Sequence, residues 1–264
     1  MGLTHAPRGA NGAAVAEQAA PQPRASQPAV AEPVESRPAV ETVAIARPPA
    51  VPQAIPAAPI AAAPVDRAGR EAALAELRER HDRECPHCTT ATAHTHTVFG
   101  EGDPEARLMF VGEAPGETED QLGRPFVGRA GEKLDEMIAA MGLRRDQVYI
   151  ANVLKSRPPD NRTPLQHEVD ACGPYLLEQI RILRPQVIVT LGGPATKLLL
   201  GTEVGITRLR GAWQAWKAPE GGLEIPLMPT YHPAYLLRNY TPKTRSEVWS
   251  DLQAVMGALG LSRA

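Results

Sequence analysis

Residues 107–116 read RLMFVGEAPG, an apolar run that ends in a turn of glycine and proline. A short apolar segment closed by turn residues predicts a buried β-strand. Further apolar runs lie at 148–153 and 187–191, and helical patterns lie at 131–141 and from 163 toward 182. Strands that alternate with helices predict an α/β fold, a three-layer αβα sandwich around a largely parallel sheet.

The flanking parts of the chain extend this pattern. We expect a helix over residues 67–84, a hairpin around 213–216, a strand over 223–231 and a last helix over 243–259. Thr163-Pro164-Leu165-Gln166 combines a capping hydroxyl with proline at the first helical position, so this helix should begin at Thr163. Pro174 should bend it.

The first quarter of the chain has a different composition from the remainder. Twelve of the 27 prolines lie before residue 65, whereas every aromatic residue lies at Phe99 or later. Such a segment buries too little apolar surface to offset the entropy of ordering it. We therefore expect residues 1–66 to be a disordered Pro/Ala-rich tail and residues 67–264 to form one domain.

Charge and hydropathy exclude several classes of protein. The formal net charge is −2, so no global basic field is available to hold nucleic acid, and any such contact must be local. There is no run of eighteen apolar residues and no charged segment followed by an apolar one at the N-terminus. Neither a membrane span nor a secretory signal is predicted, which leads us to expect a cytoplasmic protein.

Three polar clusters follow predicted strands. They are the turn at 112–116, Asn152 and His232. Because ligands of open α/β sheets bind beyond the carboxyl ends of the strands, these clusters are expected to converge. Several carboxylates follow the turn and no Gly-Lys-Ser/Thr is present there, which argues against a phosphate-binding loop.

The motifs together resemble the family 4 uracil-DNA glycosylases. The resemblance covers about residues 85–258 and is carried by Gly112-Glu113-Ala114-Pro115-Gly116, Gly123-Arg124-Pro125-Phe126-Val127-Gly128, Asn152, the stretch from Arg157 to Pro164, and His232-Pro233-Ala234-Tyr235-Leu236-Leu237-Arg238. It implies an enzyme that flips uracil out of DNA and hydrolyses its N-glycosidic bond, initiating base excision repair.

The residue types fit this chemistry. The carboxamide of Asn152 can accept from N3–H and donate to O4 of uracil, whereas cytosine presents the opposite pattern. His232 can donate to uracil O2 as negative charge develops on the leaving base. The resemblance assigns the stacking of the base to Phe126.

The carboxylates have separate expected roles. Glu113 is the best candidate to position or activate water, or to stabilise the cationic sugar. The resemblance places Gly112 in the substrate pocket and Glu119 at the wall that excludes the methyl group of thymine. Other glycosylase families of this kind have Asp where this turn has Ala114, so a dissociative reaction is expected.

DNA contacts are expected after His232. Leu236 and Leu237 are candidate wedges for the base stack, and Arg238 is a candidate phosphate ligand. The same stretch also suits an amphipathic helix with a buried leucine pair. The resemblance adds Arg162 to the residues that bind DNA.

The three cysteines match part of a metal site. The family binds a [4Fe–4S] cluster through four cysteines, and Cys85, Cys88 and Cys172 match three of them, whereas Ser156 takes the fourth position. Serine is a poorer ligand than cysteine because its oxygen is hard and deprotonates with difficulty. We expect a cluster, and three outcomes stay open: ligation of the fourth position by Ser156 or water, ligation by a nearby residue such as His87, or no stable cluster.

Two other functions stay open at this stage. One is a uracil-DNA-binding repair or sensor protein with weak turnover, and the other is a redox or zinc protein built on the C-x-x-C pair. The expected partner is uracil-containing DNA, with the protein at the nucleoid while it acts. We expect a monomer without an obligate protein partner.

Overall fold

The computed structural model describes residues 66–91, 93–219 and 221–261. These residues form six strands and eight α-helices. The strands are β1 (Glu101–Gly102), β2 (Leu108–Gly112), β3 (Tyr149–Asn152), β4 (Val187–Leu191), β5 (Gln214–Lys217) and β6 (Glu224–Thr230). The helices are α1 (Arg67–Glu84), α2 (Glu117–Leu122), α3 (Arg129–Ala140), α4 (Gln166–Leu183), α5 (Gly193–Leu200), α6 (Ile206–Leu209), α7 (Pro233–Arg238) and α8 (Pro242–Leu259).

The six strands form one sheet in the order β1-β3-β2-β4-β6-β5. The inner strands β3, β2, β4 and β6 are parallel, whereas the edge strands β1 and β5 are antiparallel to their neighbours. The predicted largely parallel sheet is confirmed. The predicted hairpin is confirmed too, because β5 pairs with β6.

Alternating side chains of β2 supply both faces of the sheet. Leu108 and Phe110 pack with α3 and α8 in one apolar cluster, and Met109 and Val111 pack with α4 and α5 in another. A strand covered on both sides is apolar at every position, as β2 is. The three-layer αβα sandwich is thus confirmed.

Two predicted helix starts differ in outcome. Helix α1 begins at Arg67 as expected, with Asp66 as its cap, since Asp66 Oδ1 accepts from the Gly69 amide at 2.9 Å. The start at Thr163 is wrong, because α4 is capped at Leu165, whose amide donates to Glu168 Oε2 at 2.8 Å. A carboxylate three residues into the helix took the capping role that we had given to the hydroxyl.

The predicted tail, apart from Asp66, lies outside the described residues. Helix α4 continues through Pro174 without an interruption. In the described part of the chain, no helix combines the length and the hydropathy that crossing a membrane requires.

Candidate active site

A cleft of about 390 Å³ opens at the carboxyl edge of the sheet. It lies beyond the ends of β2, β3 and β6, as expected for an open α/β sheet. The three separated polar clusters of the sequence do converge here. The lining includes Glu113, Ala114, Gly116, Glu119, Phe126, Asn152, Arg162, His232 and Arg238.

Gly112 leaves room for two side chains at the bottom of the cleft. It pairs with Asn152 across β2 and β3. A Cβ at this position would lie 2.3 Å from Asn152 Oδ1 and 2.4 Å from Phe126 Cζ. Only a glycine therefore allows the amide and the aromatic ring to approach the strand end together.

Asn152 is 1% exposed, and its Oδ1 has no hydrogen-bond partner among the described residues. A buried acceptor without a partner costs free energy, so such groups are uncommon outside functional sites. Its position beside the cleft means that a ligand with an N–H donor could satisfy it.

His232 is held in a defined orientation at the start of α7. Its Nδ1 accepts a hydrogen bond from the Ala234 amide at 3.1 Å. Because Nδ1 is the acceptor, the proton of the neutral ring lies on Nε2. Burial, together with the charge of Arg238, lowers the pKa of His232 to about 4. At neutral pH the residue thus offers one Nε2–H donor and no charge.

Phe126 is in a backbone conformation that non-glycine residues rarely adopt, with φ of +49°. Its ring lies 5.5 Å from that of His232, and its carbonyl accepts from Arg145 Nη1 at 3.0 Å. The ring also belongs to the apolar core on the α3 side of the sheet. Phe126 therefore packs in the core and also lines the cleft.

Glu119 holds the loop that carries Phe126. Its Oε1 accepts from the amides of Val127 and Gly128, both at 2.8 Å. The sequence did not predict that Glu119 would hold this loop in place. Glu119 also lines the cleft, so the proposed role in excluding a methyl group is compatible with its place.

Glu113 follows β2 and faces the cleft. Burial raises the pKa of its carboxyl group above the usual value. A carboxylate in such surroundings is a stronger base than an exposed one, as general bases and electrostatic stabilisers require.

The candidate DNA contacts differ in their exposure. Leu236 is 4% exposed and packs into the core, so the prediction that it is a wedge is wrong, whereas Leu237 is 37% exposed. Arg238 is exposed and lines the cleft. Arg162 lines the cleft as well, but its guanidinium pairs with both oxygens of Glu168, at 2.7 and 2.6 Å.

Three buried thiols and one imidazole converge at the end of α1. The ligating atoms of Cys85, Cys88, Cys172 and His81 all lie within 4.8 Å of one another. Ser156 is also buried, and its Oγ accepts from Cys88 Sγ at 3.3 Å. Soft sulfur donors with an imidazole and no carboxylate in the group suit a metal ion or an iron–sulfur cluster.

His87 is not part of that group, so the structure does not support it as a candidate ligand. Its Nδ1 lies 3.9 Å from Glu168 Oε1, so the ring faces the Arg162–Glu168 pair. His81 was overlooked in the sequence. The spacing His81-x-x-x-Cys85-x-x-Cys88 could have revealed it, since residues four apart lie on the same side of a helix.

Comparison with known proteins agrees with this geometry. Residues 99–253 match the model of the uracil DNA glycosylase superfamily. A type-4 uracil-DNA glycosylase of Thermotoga maritima is 46% identical over 181 residues, which are 68% of this chain and 92% of that protein.

A second type-4 enzyme, from Sulfurisphaera tokodaii, is 48% identical over 65% of this chain and 78% of its own length. A type-5 uracil-DNA glycosylase of Pyrobaculum aerophilum is 32% identical over 60% of this chain and 76% of its own length. The chain belongs to the uracil-DNA glycosylase superfamily, and within it to the type-4 enzymes.

Proposed function

We propose that this protein removes uracil from DNA by hydrolysing the bond between the base and deoxyribose. The observation that carries the proposal is the unpartnered, buried Oδ1 of Asn152, which faces the same cleft as the fixed Nε2–H donor of His232. An acceptor and a donor of this kind match the polar edge of uracil.

Recognition is proposed to depend on Asn152 and Phe126. The carboxamide accepts from N3–H of uracil and donates to O4, whereas cytosine offers an acceptor and a donor at the corresponding atoms. Phe126 stacks on the face of the flipped base. Cytosine would leave buried polar groups unpaired, which is a strong basis for discrimination.

Bond cleavage is proposed to depend on His232 and Glu113. As the C1′–N1 bond breaks, the electron pair goes to the base, and His232 Nε2–H donates to uracil O2, where negative charge accumulates. The ionised Glu113 stabilises the cationic sugar and orients the water that adds to C1′. One hydrogen of the water stays in the new C1′ hydroxyl and the other is lost as a proton, while the uracil anion takes up a proton, so the products are neutral uracil and an abasic site.

DNA binding is proposed to involve Leu237 and Arg238 at the exposed side of α7. The leucine offers an apolar contact with the base stack, and the guanidinium a contact with a phosphate. Arg162 is proposed to act at the same surface, oriented by Glu168.

We propose further that Cys85, Cys88 and Cys172 hold a [4Fe–4S] cluster. All three thiols are buried and converge, as the soft donor set of such a cluster requires. When bound, the cluster would connect the end of α1 to α4 as a structural link. No step of the reaction involves it.

The test is excision from an oligonucleotide with a single uracil, followed by alkaline scission of the abasic strand. We expect cleavage by the wild type and a fall in kcat/KM of about 10²-fold or more for Asn152→Ala, because two hydrogen bonds to the base are lost. Gln214→Ala is the matched control, since it removes a carboxamide from the edge strand β5. Equal activity of Asn152→Ala and wild type would refute the proposed role.

A further inference from the structure

We propose that His81 is the fourth protein ligand of the metal centre and replaces the cysteine that this chain lacks. The proposal rests on the metal site put forward above and concerns its ligand set. Three thiolates and one imidazole can hold either an iron–sulfur cluster or a zinc ion, so the proposed ligand set applies to both.

The position of His81 is the first observation. It is 0% exposed, in the last turns of α1, four residues before Cys85. Its Nε2 lies 3.2 Å from Cys88 Sγ and 3.9 Å from Cys172 Sγ. Two ligands around one tetrahedral ion stand about 3.6–3.8 Å apart, given metal bonds of 2.0–2.3 Å. The two observed separations lie on either side of this range, so His81 Nε2 is near enough to the thiols to share a metal centre with them.

The orientation of the ring is the second observation. His81 Nδ1 lies 2.8 Å from Asp82 Oδ1, and that oxygen also accepts from Thr97 Oγ1 at 2.9 Å. A carboxylate that accepts from Nδ1–H directs the lone pair of Nε2 toward the thiols. Metal-binding histidines are commonly oriented by such a carboxylate. The ring of Tyr175 packs edge-on against His81 at 4.9 Å between centroids.

The alternatives fit less well. Ser156 Oγ contacts Cys88 Sγ, but a hydroxyl is a hard donor that must lose a proton of high pKa to bind. His87 faces Glu168 instead of the thiols. In the described part of the chain, His81 is the histidine grouped with the three cysteines.

The experiment measures metal on the full chain purified anaerobically. Iron, acid-labile sulfide and zinc per chain are determined for the wild type, His81→Ala, His81→Cys and the matched control Ser156→Ala. We expect stoichiometric metal in the wild type and Ser156→Ala, and at least a several-fold loss in His81→Ala. Iron with sulfide identifies a cluster, and zinc alone identifies a single ion. With either metal, its loss in His81→Ala supports His81 as the ligand.

A spectroscopic measurement on His81→Cys keeps the proposal testable if His81→Ala does not fold. His81→Cys keeps four soft donors, so it should retain the metal while the nitrogen signal of the centre disappears. That signal is the ¹⁴N coupling of the reduced cluster or the nitrogen scatterer in zinc X-ray absorption. Replacing imidazole with thiolate should also lower the reduction potential of a cluster.

Four results would overturn the proposal: full metal content in His81→Ala, loss of metal in Ser156→Ala, a wild-type centre without nitrogen coordination, or a wild type without metal. Uracil excision is assayed on the same samples. Activity without metal would leave the proposed function standing while removing the metal site, so the two failures can be told apart.

Discussion

The charge state of His232 is fixed by its immediate surroundings. Its Nδ1 is occupied by the Ala234 amide, and burial together with the charge of Arg238 lowers its pKa to about 4. A neutral imidazole that donates from Nε2 avoids the cost of burying an extra positive charge before the base leaves. The donor is therefore ready in the resting enzyme.

Replacing His232 with alanine should lower kcat by about 10²–10³-fold, the usual effect of removing one donor to a developing anion. KM should change little, because the bond strengthens mainly in the transition state. Single-turnover rates on a uracil oligonucleotide measure this. A fall in affinity at unchanged kcat would contradict it.

The acid limb of the pH profile should belong to Glu113. Burial raises the pKa of this carboxyl group, so its ionised form is lost as pH falls through a value above the usual one. We expect kcat to fall on that side, and Glu113→Gln to be about 10²-fold slower with the limb abolished. His232→Ala should keep the limb, because the pKa of His232 lies near 4. A limb that survives in Glu113→Gln would contradict the assignment.

At the scale of elements, the cleft depends on how closely β2, β3 and the loop after α2 approach. Glu119 fixes that loop through the amides of Val127 and Gly128, and Gly131 leaves room for it. A Cβ at Gly131 would lie 2.0 Å from the carbonyl oxygen of Phe126. The unusual backbone of Phe126 is thus held by its neighbours on both sides.

Gly112→Ala should abolish most activity, because its methyl group would overlap Asn152 Oδ1 and the ring of Phe126. We expect kcat/KM to fall about 10²-fold or more, since small displacements of positioning residues have effects of that size. The matched control is Gly193→Ala at the start of α5, where a Cβ meets nothing within 4 Å. Wild-type kinetics in Gly112→Ala would show that the strand end can relax.

At the scale of the whole molecule, the buried Asp251 of α8 links Arg210, which follows α6, to Thr230 of the sheet. Asp251 is 2% exposed, pairs with Arg210 Nε at 3.2 Å and accepts from Thr230 Oγ1 at 2.6 Å. Thr230 ends β6, two residues before His232. This network connects the last helix to the strand that precedes His232.

Arg210→Met should lower the free energy of unfolding by about 3–5 kcal/mol, because it leaves the carboxylate of Asp251 buried without its cation. Urea denaturation followed by circular dichroism measures this. Arg208→Met is the control, since Arg208 is an exposed arginine of α6, which ends just before Arg210. Equal losses in both variants would show that the buried pair has no special contribution.

Most of the architecture could be predicted from local sequence. The apolar runs identified β2, β3, β4 and β6, and their alternation with helices determined a parallel sheet, because burial on both faces requires continuous apolar strands. The motifs also identified Asn152, Phe126, His232 and Glu113 as residues that would meet. The helix α2 and the two-residue strand β1 are too short for periodicity to reveal.

Only the tertiary structure decided which side chains face which environment. Local sequence did not separate the buried Leu236 from the exposed Leu237, nor show that Glu168 would cap α4 and pair with Arg162. Likewise, Ser156 and His87 were the evident substitutes for a missing cysteine. The spacing of His81, Cys85 and Cys88 is local, but the approach of His81 to Cys172, about ninety positions away, depends on the packing of α1 against α4, which no local pattern encodes.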